Sequence, residues 1–127
     1  MRYIHTPEAP EPIGPYSQAV EHNGLLYVSG QISLDPATGR MVQDSIEEEA
    51  DRVMKNLAAI LEAAGTTFSS VLKTTILLSD MQHFAAVNGI YAGYFEEGMV
   101  PARETFAAAG LPRQANIEIS MVVATDR

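Results

Sequence analysis

The sequence predicts an α+β fold, with a mixed β-sheet and two helices packed on one face of it. Three observations carry this prediction: a long amphipathic helix, a strand–helix–strand order in the middle of the chain, and hairpin signals at both ends. The chain has 127 residues, of which 46% are hydrophobic and 19% charged. This length and composition indicate one domain, residues 1–127, with a real hydrophobic core.

The first half begins with the proline-rich stretch TPEAPEPIGP (6–15), which predicts irregular structure. The segments YSQAVEH (16–22) and LLYVSG (25–30) are predicted strands, and the Asn-Gly pair between them is a strong hairpin signal. DPATG (35–39) predicts a second tight turn.

Residues 45–64 are predicted to form the first helix. Ser45 and Glu48 form a capping-box pattern at its start, and Gly65 is placed to end it in a left-handed conformation. Apolar residues recur at three- and four-residue spacing, which is typical of one buried helix face. They are Ile46, Ala50, Val53, Leu57, Ile60, Leu61 and Ala64.

The second half continues with a predicted buried strand, VLKTTILLS (71–79), which is rich in β-branched residues. Asp80 is a candidate cap for a second helix at about 82–95. We expect its inward face to consist of Phe84, Val87, Tyr91 and Phe95. Residues 103–109 and 116–124 are then two closing strands, which we expect to be joined as a hairpin by GLPR. The uncovered sheet face carries alanines and the run SMVVA, so a second subunit is expected to bury it.

Composition excludes several classes of protein. The net charge is −8 with only 8 Lys and Arg residues, which argues against nucleic-acid binding. No apolar run approaches the roughly 20 residues of a membrane span, and the first residues lack the apolar segment of a signal peptide. There is no cysteine, the three histidines share no metal-ligand spacing, and no nucleotide-binding glycine motif occurs. We therefore expect a cytoplasmic protein without a metal or organic cofactor.

Arg103 and Glu118 are the first candidates for chemistry. Arg103 in PARETF is either a surface ion-pair partner or a clamp for a carboxylate, which a planar guanidinium binds with two hydrogen bonds. Glu118 in NIEISMVV lies either on a solvated strand face or in a pocket as a general acid/base. If GLPR is a four-residue hairpin loop, Thr105 lies opposite Glu118 and Arg103 lies on the diagonal, about 7–8 Å away.

Three further positions are candidates for the pocket. Tyr16 follows Gly-Pro and is either a core plug or a pocket wall with a hydroxyl group. Gly30, which follows Ser29 at a strand end, either relieves turn strain or lets a ligand approach the backbone. Asn88 lies in the middle of the second helix, where it either bonds to a neighbouring loop or is exposed.

Several segments, taken in order, resemble the RidA/YjgF family of reactive-intermediate deaminases. The resemblance covers about residues 9–124, and its ordered set of motifs is more specific than any single one. The segments are IGPYSQAV (13–20), YVSGQISLDPATG (27–39), NLAAILEAAG (56–65), VLKTTILLSDM (71–81), FAAVNGIYAGYF (84–95), PAR (101–103) and IEI (117–119).

The resemblance implies a chorismate-mutase-like (YjgF) fold, a homotrimer and substrate pockets between subunits. It also implies hydrolysis of 2-imino acids, such as 2-iminobutanoate and 2-iminopropanoate, or of their enamine tautomers, to 2-keto acids and ammonia. By the same resemblance, Arg103 binds the substrate carboxylate and Glu118 positions the water. The implied pocket residues are Tyr16, Ser29, Gly30, Asn88 and Thr105.

Two residues depart from the family pattern: Glu104 follows the arginine, and Ser120 stands where a second acidic residue is common. Strand alternation is expected to point Glu104 away from Arg103. Two other functions stay open. One is a non-catalytic module that binds or senses a 2-keto acid or another small carboxylate. The other is a ribonuclease or translation inhibitor, which the acidic composition disfavours.

Overall fold

The computed structural model describes residues 1–126, which form one six-stranded sheet and two α-helices. The strands lie in the order β1-β2-β3-β6-β4-β5. Only β4 and β5 pair in parallel, and all other neighbours are antiparallel. The elements are β1 (Arg2–Ile4), β2 (Ala19–His22), β3 (Leu25–Gln31), α1 (Ile46–Ala64), β4 (Val71–Leu78), α2 (Phe84–Ala92), β5 (Ala102–Ala107) and β6 (Ile117–Ala124).

Helix α1 forms as its sequence predicts. The Ser45 side chain accepts a hydrogen bond from the Glu48 backbone N–H, and Gly65 ends the helix in the left-handed region at φ 81°. Three glutamates in the first turn complement the positive end of the helix dipole. The buried face of α1, which includes Val53, Leu57 and Leu61, packs on the sheet and forms most of the core with it.

Helix α2 is shorter than predicted, because a 3-10 turn (Met81–His83) precedes it and Gly93 follows it. Asp80 accepts a hydrogen bond from the Gln82 N–H, so the predicted cap closes the 3-10 turn rather than the α-helix. Val87 and Tyr91 are buried against the same core as α1, so both helices cover one face of the sheet. The predicted α+β class and mixed sheet are therefore confirmed.

The Asn-Gly hairpin is also confirmed. Asn23 and Gly24 adopt φ angles of 52° and 79°, which a two-residue turn of the favoured hand requires, and β2 pairs with β3 on either side of them. Strand β1 was not predicted. It has only three residues and pairs with β2 at the edge of the sheet.

The predicted hairpin between the last two strands is wrong. Strand β5 pairs in parallel with β4, whereas β6 inserts between β3 and β4. Thr105 therefore lies opposite Ile76, and Glu118 lies opposite Leu77. Residues 108–116 cross past the end of β4 instead of turning tightly: the Ala108 N–H donates to the Leu78 carbonyl, and the Ser79 N–H donates to the Asn116 carbonyl. Central strand β6 thereby gains two partners, which a terminal hairpin would not have given it.

The sheet face without helices is partly apolar. Tyr27 and Phe106 project from it with half of their surface exposed. Lys73, Thr75 and Ser120 lie on the same face and supply its polar part. No helix within residues 1–126 is long and apolar enough to cross a membrane.

Candidate functional site

Glu118 of β6 lies beside Gly30 of β3, where the pairing between these two strands is interrupted. The pairing of β3 with β6 is irregular between Val28 and Gln31, and Gly30 lies in this irregular stretch. A Cβ atom at position 30 would be 2.3 Å from Glu118 Oε2 and 2.8 Å from its carboxyl carbon. Only glycine therefore leaves room for the glutamate in this position. In the structure the group that lies close to the Gly30 backbone is the Glu118 side chain, and the approach of a ligand to this backbone stays a prediction.

Burial governs the acidity of Glu118. Its side chain is partly removed from water, and this desolvation raises its pKa above the ordinary value of a glutamate. No hydrogen bond or cation of the described chain offsets that shift. Such a carboxyl group exchanges a proton closer to neutral pH than an exposed one does, which suits a general acid/base.

Glu118 opens into a cavity of about 440 Å³ that is large enough for a small organic molecule. Tyr16, Ser29 and Gly30 line the same cavity, so the structure brings together four of the seven candidates. The rest of the wall is mainly apolar. Its apolar members are Pro10, Ile13, Ile32, Leu34 and Pro112.

Buried hydrogen bonds hold one wall of this cavity. The Gln18 side chain is almost completely buried; its oxygen accepts from the Thr6 N–H, and its NH₂ group donates to the Thr6 and Pro10 carbonyls. The Tyr16 hydroxyl accepts from the Ile13 N–H at 3.3 Å, which places the ring in the wall and not in the core. Ser29 Oγ donates to the Ser17 carbonyl at 2.6 Å, so its hydroxyl proton is used structurally.

The other three candidates form a second cluster elsewhere in the chain. The Arg103 guanidinium lies over the rings of Phe84 and Tyr91, at 5.6 and 5.2 Å from their centroids. Asn88 is one helical turn from both rings along the same side of α2. Thr105 Oγ1 is buried without a hydrogen-bond partner among residues 1–126. The Arg103 guanidinium contacts only aromatic rings, and the Thr105 hydroxyl has no hydrogen-bond partner. Both groups can therefore bind a ligand or a residue of another chain.

The two clusters do not meet within one chain. Arg103 pairs with Thr74 and faces α2, whereas Glu118 shares its row of the sheet with Leu77 and Phe106 on the opposite face. Strand β4 separates β5 from β6. The expected diagonal contact of about 7–8 Å between Arg103 and Glu118 is therefore wrong, because it depended on the terminal hairpin.

Glu104 points away from Arg103, as strand alternation predicted. It accepts a hydrogen bond from Thr75 Oγ1 at 2.8 Å and lies 3.5 Å from Lys73 Nζ. The hydrogen bond from Thr75 and the nearby Lys73 charge lower its pKa. Glu104 is thus an ionised residue of the open sheet face and does not neutralise Arg103.

Sequence reasoning missed four polar residues of the cavity lining, Glu11, Gln18, Gln31 and Arg113. Gln18 occupies an inward position next to β2, and a buried amide in an apolar pattern was an available signal. Arg113 was assigned to a turn, and nothing in the pattern of GLPR indicates that the turn borders a pocket.

Fold and cavity together define an α+β protein with a small-molecule cavity at one end of its sheet and a buried glutamate in that cavity. The chain belongs to the family described as Endoribonuclease L-PSP, whose model matches residues 6–125. This family contains the RidA/YjgF proteins, so the family membership predicted from the sequence is confirmed.

Relatives and solved structures cover nearly the whole chain. The 2-iminobutanoate/2-iminopropanoate deaminase of Mus musculus is 48% identical over 121 residues, which are 95% of this chain and 89% of that protein. A crystal structure from Thermotoga maritima MSB8 has a TM-score of 0.96 at 45% identity and covers 100% of this chain and 99% of that one. The structure of E. coli TdcF with bound serine has a TM-score of 0.93 at 32% identity, with 99% of this chain and 100% of that one covered.

Proposed function

We propose that this protein hydrolyses 2-imino acids to 2-keto acids and ammonia. The observation that carries the proposal is Glu118: a carboxyl group with a raised pKa, placed by Gly30 at the wall of a small-molecule cavity. The names of relatives at this level of identity support the same reaction, since mouse, human and rat proteins are all named 2-iminobutanoate/2-iminopropanoate deaminase.

The reaction needs one water molecule and one group that moves protons. Ionised Glu118 takes a proton from the water as its oxygen bonds to the imine carbon, and the C=N double bond becomes a single bond. The protonated Glu118 then gives this proton to the amine nitrogen. The C–N bond breaks and its electron pair leaves with the nitrogen, while the proton of the new hydroxyl passes through Glu118 to that nitrogen, so that ammonia departs and the hydroxyl oxygen becomes the carbonyl of the keto acid. Glu118 ends ionised, so the cycle is balanced.

The substrate carboxylate requires a cation that the cavity of one chain does not place beside Glu118. We infer that Arg103 of a neighbouring copy supplies it, because β5 is an edge strand of the sheet and can border the next subunit in a homotrimer whose subunits meet at the open sheet face. Arg103 and Thr105 both lack a hydrogen-bonding partner in the described chain, and the open face carries half-exposed Tyr27 and Phe106. An arginine bonds a carboxylate with two charge-assisted hydrogen bonds.

The first experiment removes each group separately. An amino-acid oxidase generates the imine, and the rate of keto-acid appearance is followed with and without the protein. We expect Arg103→Ala to abolish the acceleration and Glu118→Gln to lower kcat by about 10²–10⁴-fold, with fold and assembly unchanged. Turnover near that of the wild type in Arg103→Ala would contradict the assignment.

The second experiment asks whether one site uses two copies. Arg103→Ala and Glu118→Gln chains are unfolded together and refolded as mixed oligomers. A site that joins Glu118 of one copy to Arg103 of another is intact in about a quarter of the interfaces, so activity should return. If both residues acted within one chain, the mixture would stay as inactive as either variant alone.

The same variants separate an enzyme from a binding module. In an enzyme, Glu118→Gln keeps the affinity for a 2-keto acid but loses ammonia release. In a non-catalytic sensor the wild type binds the keto acid and never accelerates imine hydrolysis. The cytoplasmic location stays a prediction of the sequence.

A further inference from the structure

We propose that Arg113 captures the anionic substrate at the mouth of the Glu118 cavity, and that it acts by charge on substrate entry and not on the chemical step. This inference rests on the proposed function, because it assigns a role within the same site. In the single chain the residue lines the cavity beside Pro112 and is exposed, so it stands at the open side of the cavity.

The guanidinium of Arg113 has no hydrogen bond or ion pair with any residue among 1–126. Three other cations of the chain have acidic partners: Arg2 bonds Glu21, Lys55 pairs with Asp51, and Lys73 lies beside Glu104. The chain has 16 acidic residues and only 8 Lys and Arg. In so acidic a protein, an arginine that borders a cavity without a carboxylate partner is available to an anion from solution.

The backbone around Arg113 is held in place from both sides. Arg113 and Gln114 have φ of 56°, a conformation that non-glycine residues adopt at a cost. Gln43 donates to the Gln114 carbonyl at 3.1 Å, and the buried Glu49 carboxylate accepts from the Asn116 N–H at 2.8 Å. These bonds fix the turn to helix α1 and its leading loop, so the base of the Arg113 side chain has a set position at the cavity.

Arg113 is separated from the reacting centre. Burial raises the pKa of Glu118, and no nearby cation lowers it, although both side chains line the same cavity. No ion pair or hydrogen bond joins the Arg113 guanidinium to the Glu118 carboxylate among residues 1–126. We therefore assign Arg113 to substrate entry and not to the proton transfers of Glu118.

Electrostatics explains why entry needs such a residue. The protein carries −8 charges, and the proposed substrate carries a carboxylate, so the protein as a whole repels it. A cation at the mouth raises the local concentration of the anion before the deeper clamp engages it. Salt screens this effect, because the Debye length falls from about 10 Å at 0.1 M to about 3 Å at 1 M ionic strength.

The kinetic test compares three variants in the coupled assay at low and high ionic strength. We expect Arg113→Gln to raise KM by about ten-fold at low salt with kcat unchanged, and the difference from the wild type to shrink toward none at about 1 M salt. Arg113→Lys keeps the charge and should retain most of the low-salt KM. Arg40→Gln makes the same change in net charge at an exposed residue outside the cavity lining, and should match the wild type.

A binding test separates charge from structure. The product 2-ketobutanoate and its neutral amide are titrated into wild type and Arg113→Gln. We expect weaker, salt-sensitive binding of the acid to the variant and equal binding of the amide. Equal KM values at low salt, a fall in kcat, or a loss shared by the amide would overturn the proposal. If the wild type itself fails to hydrolyse imines, the proposed function fails first, and the two failures are thus distinguishable.

Discussion

At the scale of single residues, Glu118 is kept at a cost to stability. Its carboxyl group is partly buried, and no cation or hydrogen bond stabilises the ionised form. Its position also requires glycine at residue 30, because a side chain there would overlap with it. A group in this state is better suited to moving protons than to stabilising a sheet. The opposite case is Glu104, whose ionised form is stabilised by Thr75 and Lys73.

The raised pKa of Glu118 predicts a pH dependence with a definite sign. The folded protein holds this proton more tightly than the unfolded chain, so stability falls as pH rises from the unfolded-state pKa through the folded-state pKa. We expect Glu118→Gln to unfold at higher denaturant than the wild type at about pH 7, and the difference to vanish at about pH 4. As a base, Glu118 must be ionised, so the acid limb of kcat/KM lies above the ordinary glutamate range.

Glu104→Gln is the matched control for this pH series. Its pKa is lowered, so its contribution to stability is present at neutral pH and is lost as pH falls through the folded-state pKa. The variant should therefore be slightly less stable than the wild type at about pH 7. The assignment of Glu118 would be contradicted if Glu118→Gln lowered stability at neutral pH as well.

At the scale of elements, the irregular segment 6–15 is held in one conformation by side-chain hydrogen bonds, much as a strand is held by its neighbours. Residues 6–15 have little secondary structure, yet the buried Gln18 amide bonds the backbone at Thr6 and Pro10. These bonds satisfy backbone groups that are removed from water and would otherwise lack a partner. One side chain thereby holds the cavity wall that contains Ile13 and Tyr16.

Replacing this amide should release the wall. In Gln18→Leu the carbonyls and the N–H that it bonded lose their partners, and we expect the free energy of unfolding to fall by about 2 kcal/mol. Segment 6–15 should also be cleaved faster by protease in the folded variant. Gln82→Leu, a matched change at an exposed position, should alter stability by less than about 0.5 kcal/mol. Unchanged protection of the segment in Gln18→Leu would show that the prolines alone hold it.

At the scale of the whole molecule, one face of the sheet is buried by helices and the other is uncovered. One face is closed by α1 and α2, and the other presents Tyr27 and Phe106, each half exposed. A partly apolar, uncovered sheet face favours association with a further copy. The separation of Arg103 from Glu118 points the same way, because the proposed chemistry requires them in one site.

A charge on the open face tests this association. Phe106→Asp is expected to convert the proposed trimer into monomers, because an aspartate there would be buried without a partner. Light scattering after size exclusion measures the mass, and imine hydrolysis should be lost with assembly. Met81→Asp places the same charge at an exposed methionine in the turn before α2 and should leave the mass unchanged. A Phe106→Asp variant that remains a trimer would mean that the copies meet elsewhere.

Local sequence by itself determined most elements of this protein. The cap at Ser45, the left-handed Gly65 and the Asn-Gly turn each depend on residues within a few positions of one another, so their signals are complete in the sequence. The family motifs placed Arg103, Glu118 and the pocket residues on the chain, although the chemistry of each remains a proposal.

Tertiary structure alone decided which strands are neighbours. Whether β6 pairs with β5 or inserts between β3 and β4 depends on the burial of Ile119 and Met121, each of which pairs with both neighbouring strands, and no local pattern records this. That choice placed Arg103 and Glu118 on opposite faces and brought Arg113 to the cavity. Strand pairing is a long-range competition for buried area, and for this reason the elements were predictable while the geometry of the site was not.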